Sequence, residues 1–250
     1  MTYNRPIVLS IAGFDPSGGA GVLADVKTFE QHKCLGMAVV TSLTEQTEDK
    51  FFDVEWLKAG KIISQLKPII EQYDVTFIKV GIIESVETLQ EVVNWLKQQK
   101  PKVKIVWDPV ISASAGPMFL KNVDPDKLQD LMKSLYLITP NVKEAKILGK
   151  KEDPKEAAKF LATFCNVLLK GGHSETEKGI DFLYAEGKVV KIEDSKEELP
   201  AKHGSGCILS SAITANLALG QNVEDACRNG KKYIEQILKS NSDLLAYHVQ

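Results

Sequence analysis

"IVLSIAGFDPSGGAG", residues 7–21, sets the reading of the whole chain. Its first six residues are apolar or small with β-branched Ile and Val, which favours a strand. "GFDPSGGAG" (13–21) follows, and a segment of helical period then covers about 20–33. A strand, a glycine-rich turn and a helix form the first half of a βαβ unit. Glycines there let backbone approach a ligand closely, and free amides at a helix start favour anions or polar groups. The stretch is not a phosphate-binding loop of the GxxxxGK[ST] kind, nor does it have GxGxxG spacing. On its own it serves equally as a ligand loop or a structural turn.

The same alternation continues outward. Strands are predicted at 37–43, 75–81, 103–109, 136–140 and 166–172. Helices are predicted at 54–70, 86–99, about 124–133 and 141–148, because their apolar residues recur at spacings of 3 and 4. Asp153 followed by Pro154 reads as the cap and first turn of another helix. "IDFLYAEGKVVKIE" (180–193) reads as a hairpin with a glycine in its turn. The chain closes with a helix from about Gly206 to Leu219, stopped by Gly220, and a last one capped by Asn222. Alternating strands and helices predict an α/β fold, with a mostly parallel sheet covered by helices on both faces. No repeat or Pro/Gly/Ser-rich linker divides the chain, so residues 1–250 read as one domain.

Composition narrows the function. With 44% apolar and 26% charged residues the chain is ordinary for a globular protein, and a net charge of -2 gives no reason to expect nucleic acid or an anionic membrane as partner. The N-terminal apolar run is too short for a signal-peptide core, and no stretch reaches the roughly 18 apolar residues of a membrane span. Cys34, Cys165, Cys207 and Cys227 are far apart and form no CxxC pair, which predicts a reduced, cytoplasmic protein without zinc or disulfides.

The polar residues are placed less evenly. Gly13, Thr44, Lys79, Asp108, Asn141 and Lys170 all fall at or just past the end of a predicted strand. In open α/β sheets that edge binds ligands. Asp108, in "WDPV", suits an Mg²⁺ held through oxygen and water, or simply a turn before proline. Asn141 and Glu144, three residues apart at a helix start, suit a capping box or a phosphate–metal cluster. Lys170, before two glycines, can neutralise phosphate or extend to solvent. "HGSGC" (203–207) is the sharpest signal. Gly-X-Gly entering a helix turns successive amides to one spot, and a cysteine there is expected to have a lowered pKa. The alternative is a small residue packed beneath a glycine turn.

In this order the motifs resemble the ribokinase-like superfamily, and within it the hydroxymethylpyrimidine/phosphomethylpyrimidine kinases of thiamine biosynthesis. "AGFDPSGGAGVLADVKTF" (12–29), "KVG", "DPV", "TPNVKEA", "KGGH" and "HGSGC" carry the resemblance over nearly the whole chain. It implies a three-layer α/β/α sandwich and phosphorylation of 4-amino-5-hydroxymethyl-2-methylpyrimidine, then of its monophosphate, by ATP and Mg²⁺. A homodimer is what the family implies. The resemblance maps Gly13, Ala20, Asp25, Thr44 and Gln46 to the pyrimidine site, with Ile82 on its apolar wall. It maps Asp108 and Glu144 to the metal, and Asn141 and Lys170 to the nucleotide phosphates. Gly204, Ser205, Gly206 and Cys207 map to the anion hole and catalytic position, with Cys207 accepting the substrate proton. The chain departs from the family at "EQT" (45–47, usually AQN), at "KVGI" (79–82, usually KIGM) and at GSGC (usually GTGC). Pyridoxal kinase, or a kinase of both rings, is the nearest alternative. A non-catalytic binding protein and a dinucleotide oxidoreductase are more distant ones.

Overall fold

The computed structural model describes residues 4–112, 119, 124–172, 179–193, 197 and 199–248. Among the described residues, nine strands form one sheet in the order β3-β2-β1-β4-β5-β6-β7-β8-β9. The parallel centre is β2 (Leu35–Gln46), β1 (Ile7–Phe14), β4 (Phe77–Val80), β5 (Lys104–Trp107), β6 (Leu137–Ile138) and β7 (Asn166–Leu169). Antiparallel strands close both edges: β3 (Phe51–Trp56) beside β2, and β8 (Asp181–Ala185) with β9 (Lys188–Ile192) beside β7. The β8–β9 hairpin turns on Glu186 and Gly187, both at positive φ, as a two-residue turn between twisted strands requires.

Helices cover both faces, which is the three-layer arrangement. Successive strand residues point to opposite sides. Ile105 and Trp107 enter the larger core, beneath α2 (Ala59–Gln72), α3 (Val86–Gln99), α4 (Pro125–Met132), α5 (Val142–Gly149) and α6 (Pro154–Leu161). Val106 enters the opposite core, beneath α1 (Gly21–Gln31), α7 (Ser205–Ala218) and α8 (Val223–Leu238). The chain leaves β1 for β2 on one side and returns to β4 on the other. The strand order therefore reverses at β1 and β4, and such a switch point opens a crevice at the strands' C-terminal ends.

The caps at Asp153 and Asn222 form as their residue types predict. The region 51–56 differs from the helix expected over 54–70. Phe51–Trp56 forms β3, paired antiparallel to a β2 that runs on to Gln46, and α2 begins only at Ala59. Val54 and Leu57 mimic helical spacing, but Val54 and Trp56 alternate on one face of β3. Thr44 consequently lies inside β2 rather than at its end. His173, the last residue of "KGGH", lies outside the described residues.

Candidate active site

At the switch point, β1 and β4 deliver Gly13 and Lys79, and β5 delivers Asp108. A Cβ on Gly13 would stand 2.7 Å from Ser42 Oγ and 2.8 Å from Ile82 Cγ2, so a side chain there would collide with both. Thr44 Oγ1 donates to the Phe14 carbonyl at 2.9 Å and accepts from Gln46 Nε2 at 2.9 Å. Register pairs Gln46 with Phe51 and Thr44 with Val54. Phe119 packs edge-on against Phe51 and Trp56, each at 5.6 Å between centroids. These residues form one group beside the end of β1: Gly13, Ile82, Thr44 and Gln46, with aromatic rings next to Gln46.

The loop after β1 is built on Asp15. Its carboxylate accepts from the Ser17 amide at 2.9 Å, the Ala20 amide at 2.8 Å and His203 Nε2 at 2.9 Å. Burial would raise the Asp15 pKa, but the hydrogen bonds from His203, Ser17 and Ala20 hold it below the ordinary carboxylate value. His203 comes from the turn before α7, so Asp15 ties the two glycine-rich turns together. Gly204 has φ +71°, and a Cβ on it would stand 2.1 Å from the Gly19 carbonyl oxygen. Only glycine allows that approach. The C-terminal segment braces the same turn: Lys202 Nζ donates to the Asn241 and Asp243 carbonyls, and the His203 amide donates to Leu244.

A second group lies under the start of α7. Lys170 Nζ is 2.6 Å from Asp108 Oδ1, which also accepts from Thr139 Oγ1 at 3.0 Å. Ser210 Oγ reaches Asp108 Oδ2 at 3.2 Å. A Cβ on Gly206 would lie 3.3 Å from Lys170 Nζ, so the first turn of α7 sits directly over this ion pair. Burial opposes the charge on both partners. Lys170 and Lys79 nevertheless hold the Asp108 pKa below its ordinary value, while Asp108 and Glu144 raise that of Lys170. Asn141 and Glu144 make the full capping box: the Asn141 amide donates to Glu144 Oε2 at 2.7 Å, and the Glu144 amide to Asn141 Oδ1 at 2.9 Å. The box does not remove Glu144 from the charged group, because burial, countered by Lys170 and reinforced by Asp108, pushes its pKa up to about 7.

One expectation needs correction. Burial pushes the half-buried Cys207 thiol up to about 11, and the Lys79 charge opposes this only in part. The lowered pKa expected from the helix start is therefore not realised, because desolvation exceeds the lowering by Lys79 and by the Gly21 backbone hydrogen bond. Asp25 lies on α1. It is fully buried, and its carboxylate is engaged by Lys79, Ser10 and Ser211. From the inner face of α1 it meets Ser10 of β1, Lys79 of β4 and Ser211 of α7.

Sequence reasoning also missed Asp15, His203, Thr139, Ser210 and Ser211. Asp15-x-Ser17 is the spacing of an Asx-turn and could have been found. The two serines sit mid-helix, where nothing local distinguishes them from small packing residues.

The phosphomethylpyrimidine kinase family model matches residues 15–250. The chain belongs to this family. A hydroxymethylpyrimidine/phosphomethylpyrimidine kinase of Aquifex aeolicus (strain VF5) is 35% identical over 246 residues, covering 95% of this chain and 96% of that one. The crystal structure of phosphomethylpyrimidine kinase from Clostridium difficile 630 superposes with a TM-score of 0.77 at 33% identity, covering 93% of this chain and 99% of that one. Pyridoxal kinase from Staphylococcus aureus in complex with pyridoxal gives a TM-score of 0.83 at 26% identity, covering 98% and 93%. The protein is thus a kinase with the ribokinase-like fold its motifs predict. No helix among the described residues is long and apolar enough to cross a membrane.

Proposed function

We infer that this kinase transfers the γ-phosphoryl group of ATP to the hydroxymethyl oxygen of 4-amino-5-hydroxymethyl-2-methylpyrimidine, and then phosphorylates the monophosphate. The observation that carries this is the first turn of α7 poised over the Lys170–Asp108 pair, one glycine turn away from Gly13 and Ala20. The acceptor ring occupies the group formed by Gly13, Ala20, Thr44, Gln46 and Ile82. Lys170 and Asn141 take the nucleotide phosphates. We read the whole chain as one kinase domain, acting as a cytoplasmic homodimer.

Phosphoryl transfer has a loose transition state, so positioning and charge neutralisation supply most of the rate. The amides of Gly204, Ser205, Gly206 and Cys207 stabilise charge on the moving group, aided by the positive end of α7. As the acceptor oxygen bonds to phosphorus, the bond to the leaving ADP breaks and the hydroxymethyl group loses its proton. At a pKa of about 11 the Cys207 thiol is protonated at neutral pH. Its minor thiolate form accepts that proton late, which a loose transition state tolerates. The second step has an anionic phosphate as acceptor and needs no such base.

Among the described residues no three His, Cys, Asp or Glu side chains converge as a metal cage. Asp108 and Glu144 instead offer two hard carboxylates beside the phosphate site, a donor set that fits an Mg²⁺ keeping water and phosphate oxygens as its other ligands. Bound there, Mg²⁺ supplies charge neutralisation to the phosphates.

Ile82, in place of the family's methionine, and the likeness to a pyridoxal kinase favour pyridoxal as a second acceptor. An ATP-consumption assay with hydroxymethylpyrimidine, its phosphate and pyridoxal side by side tests the reading. The expected order of kcat/KM puts both pyrimidines above pyridoxal. Turnover of pyridoxal alone would replace the function with vitamin B6 salvage.

A further inference from the structure

Lys79 Nζ lies 2.9 Å from both Asp25 oxygens, and both side chains are fully buried. Two hydroxyls complete the carboxylate: Ser10 Oγ of β1 at 2.5 Å and Ser211 Oγ of α7 at 2.7 Å. Four elements (β1, β4, α1 and α7) thus meet at one charged group. Stability alone does not account for it. Removing ions from water costs several kcal/mol each, and apolar residues of similar volume often stabilise a core as well or better. What a satisfied polar group adds is a fixed geometry.

That geometry bears on α7. Every residue from Ile208 to Leu217 is buried, so no apolar stripe sets the rotation of this helix. Its consecutive serines supply what packing does not. Ser211 ties α7 to Asp25, and Ser210 ties it to Asp108. Ser211 stands four residues, about one turn, beyond Cys207. Rotation or sliding of α7 would break one or both ties and would move the amides of Gly204–Cys207 with them.

We propose that the Lys79–Asp25 pair is a positioning device for phosphoryl transfer, fixing the rotation and height of α7 through Ser211. This rests on the kinase reading above. Lys79, Asp25 and Ser211 are all fully buried. They act through the aim of the α7 amides, and the group being aimed at is the transferred phosphoryl.

Two matched variants test this. Ser211→Ala cuts the tie to α7 and leaves the ion pair whole, whereas Ser10→Ala removes the other hydroxyl from the same carboxylate without touching α7. Each loses one buried hydrogen bond, so a merely structural role predicts similar falls in Tm and no difference in turnover. Positioning predicts a kcat about tenfold lower in Ser211→Ala for both acceptors, since small misplacements carry large rate costs. KM for ATP and acceptor stays near wild type, and Ser10→Ala keeps wild-type kcat. Hydrogen exchange of the Gly204–Cys207 amides gives a readout independent of activity: it accelerates in Ser211→Ala and not in Ser10→Ala. Wild-type kcat and exchange in Ser211→Ala, or equal changes in both variants, would overturn the proposal. Wild-type protein inactive on every acceptor would overturn the kinase reading instead, and the exchange experiment would still decide the positioning role.

Discussion

Two lysine–aspartate pairs lie near one another beneath the start of α7, and they differ in one respect. Lys79 and Asp25 are both 0% exposed, and the Asp25 carboxylate is closed off by two serines. Lys170 and Asp108 form the shorter contact, at 2.6 Å, but Lys170 keeps 13% of its side chain exposed beneath a glycine. A closed pair can only hold its surroundings in place. An open pair can exchange one partner for a phosphate, because the second partner remains to steady the first. On the proposed function, the same two residue types serve geometry in one place and charge neutralisation in the other.

Substitutions can break this contrast directly. Lys170→Met should give the largest functional loss, about 10²–10³-fold in kcat/KM, in the range for removing one group that stabilises transition-state charge. Its melting temperature should fall less than that of Lys79→Met, because the Lys79 charge still reaches Asp108 when Lys170 is gone. Lys79→Met should have its largest effect on stability, with a kcat loss of about tenfold like that of Ser211→Ala. It leaves Asp25 buried and unpaired, at about 3–5 kcal/mol of stability. Urea unfolding and steady-state kinetics on both variants check the pair. If Lys79→Met is the more stable of the two, the division fails.

Cys207→Ala sharpens the contrast at the reacting end. Single-turnover rates should fall about 10²-fold for the hydroxymethyl acceptor and less than about tenfold for the monophosphate, as loss of one acid–base group allows. Equal losses would mean that the thiol contributes packing rather than proton transfer.

The smallest effect concerns Glu144. Its pKa is raised from 4.5 to about 7 in the folded protein, chiefly by burial. The folded state thus holds this proton more tightly than the unfolded chain. The resulting stability is full below about pH 4.5 and is lost as pH rises through about 7. The Tm of the ligand-free protein should fall between about pH 5 and about pH 8, and Glu144→Gln should fall less. Thermal melts across that range check this, and parallel curves for the two proteins would remove Glu144 from the account.

Much of the fold was legible because burial imposes period 2 on strands and about 3.6 on helices. The helical period appears in Val86–Gln99, whereas Ile7–Phe14, buried on both faces, reads as an unbroken run of apolar and small residues. Phe51–Trp56 was misread because its apolar residues fit both periods, and only pairing with β2 decides between them. Strand order was not legible at all, since no local pattern says which neighbour a strand will choose. The strand-end rule brought Gly13, Asp108 and Lys170 to one edge of the sheet. It could not tell that Asp25 turns inward, because that depends on Lys79, 54 residues away. Nor could it weigh desolvation against the helix field at Cys207, a balance set by the packed neighbours of the thiol.

The contact between Gly204 and the Gly19 carbonyl bears on redesign. The function we propose gives acceptor choice to one glycine-rich turn and phosphoryl handling to the other, and the two backbones touch where neither can gain a methyl group. A loop transplanted from a kinase of different specificity would bring its own path past that contact. Exchanging both turns together, with Asp15 and His203 kept as a matched set, is the smallest graft that leaves the joint intact.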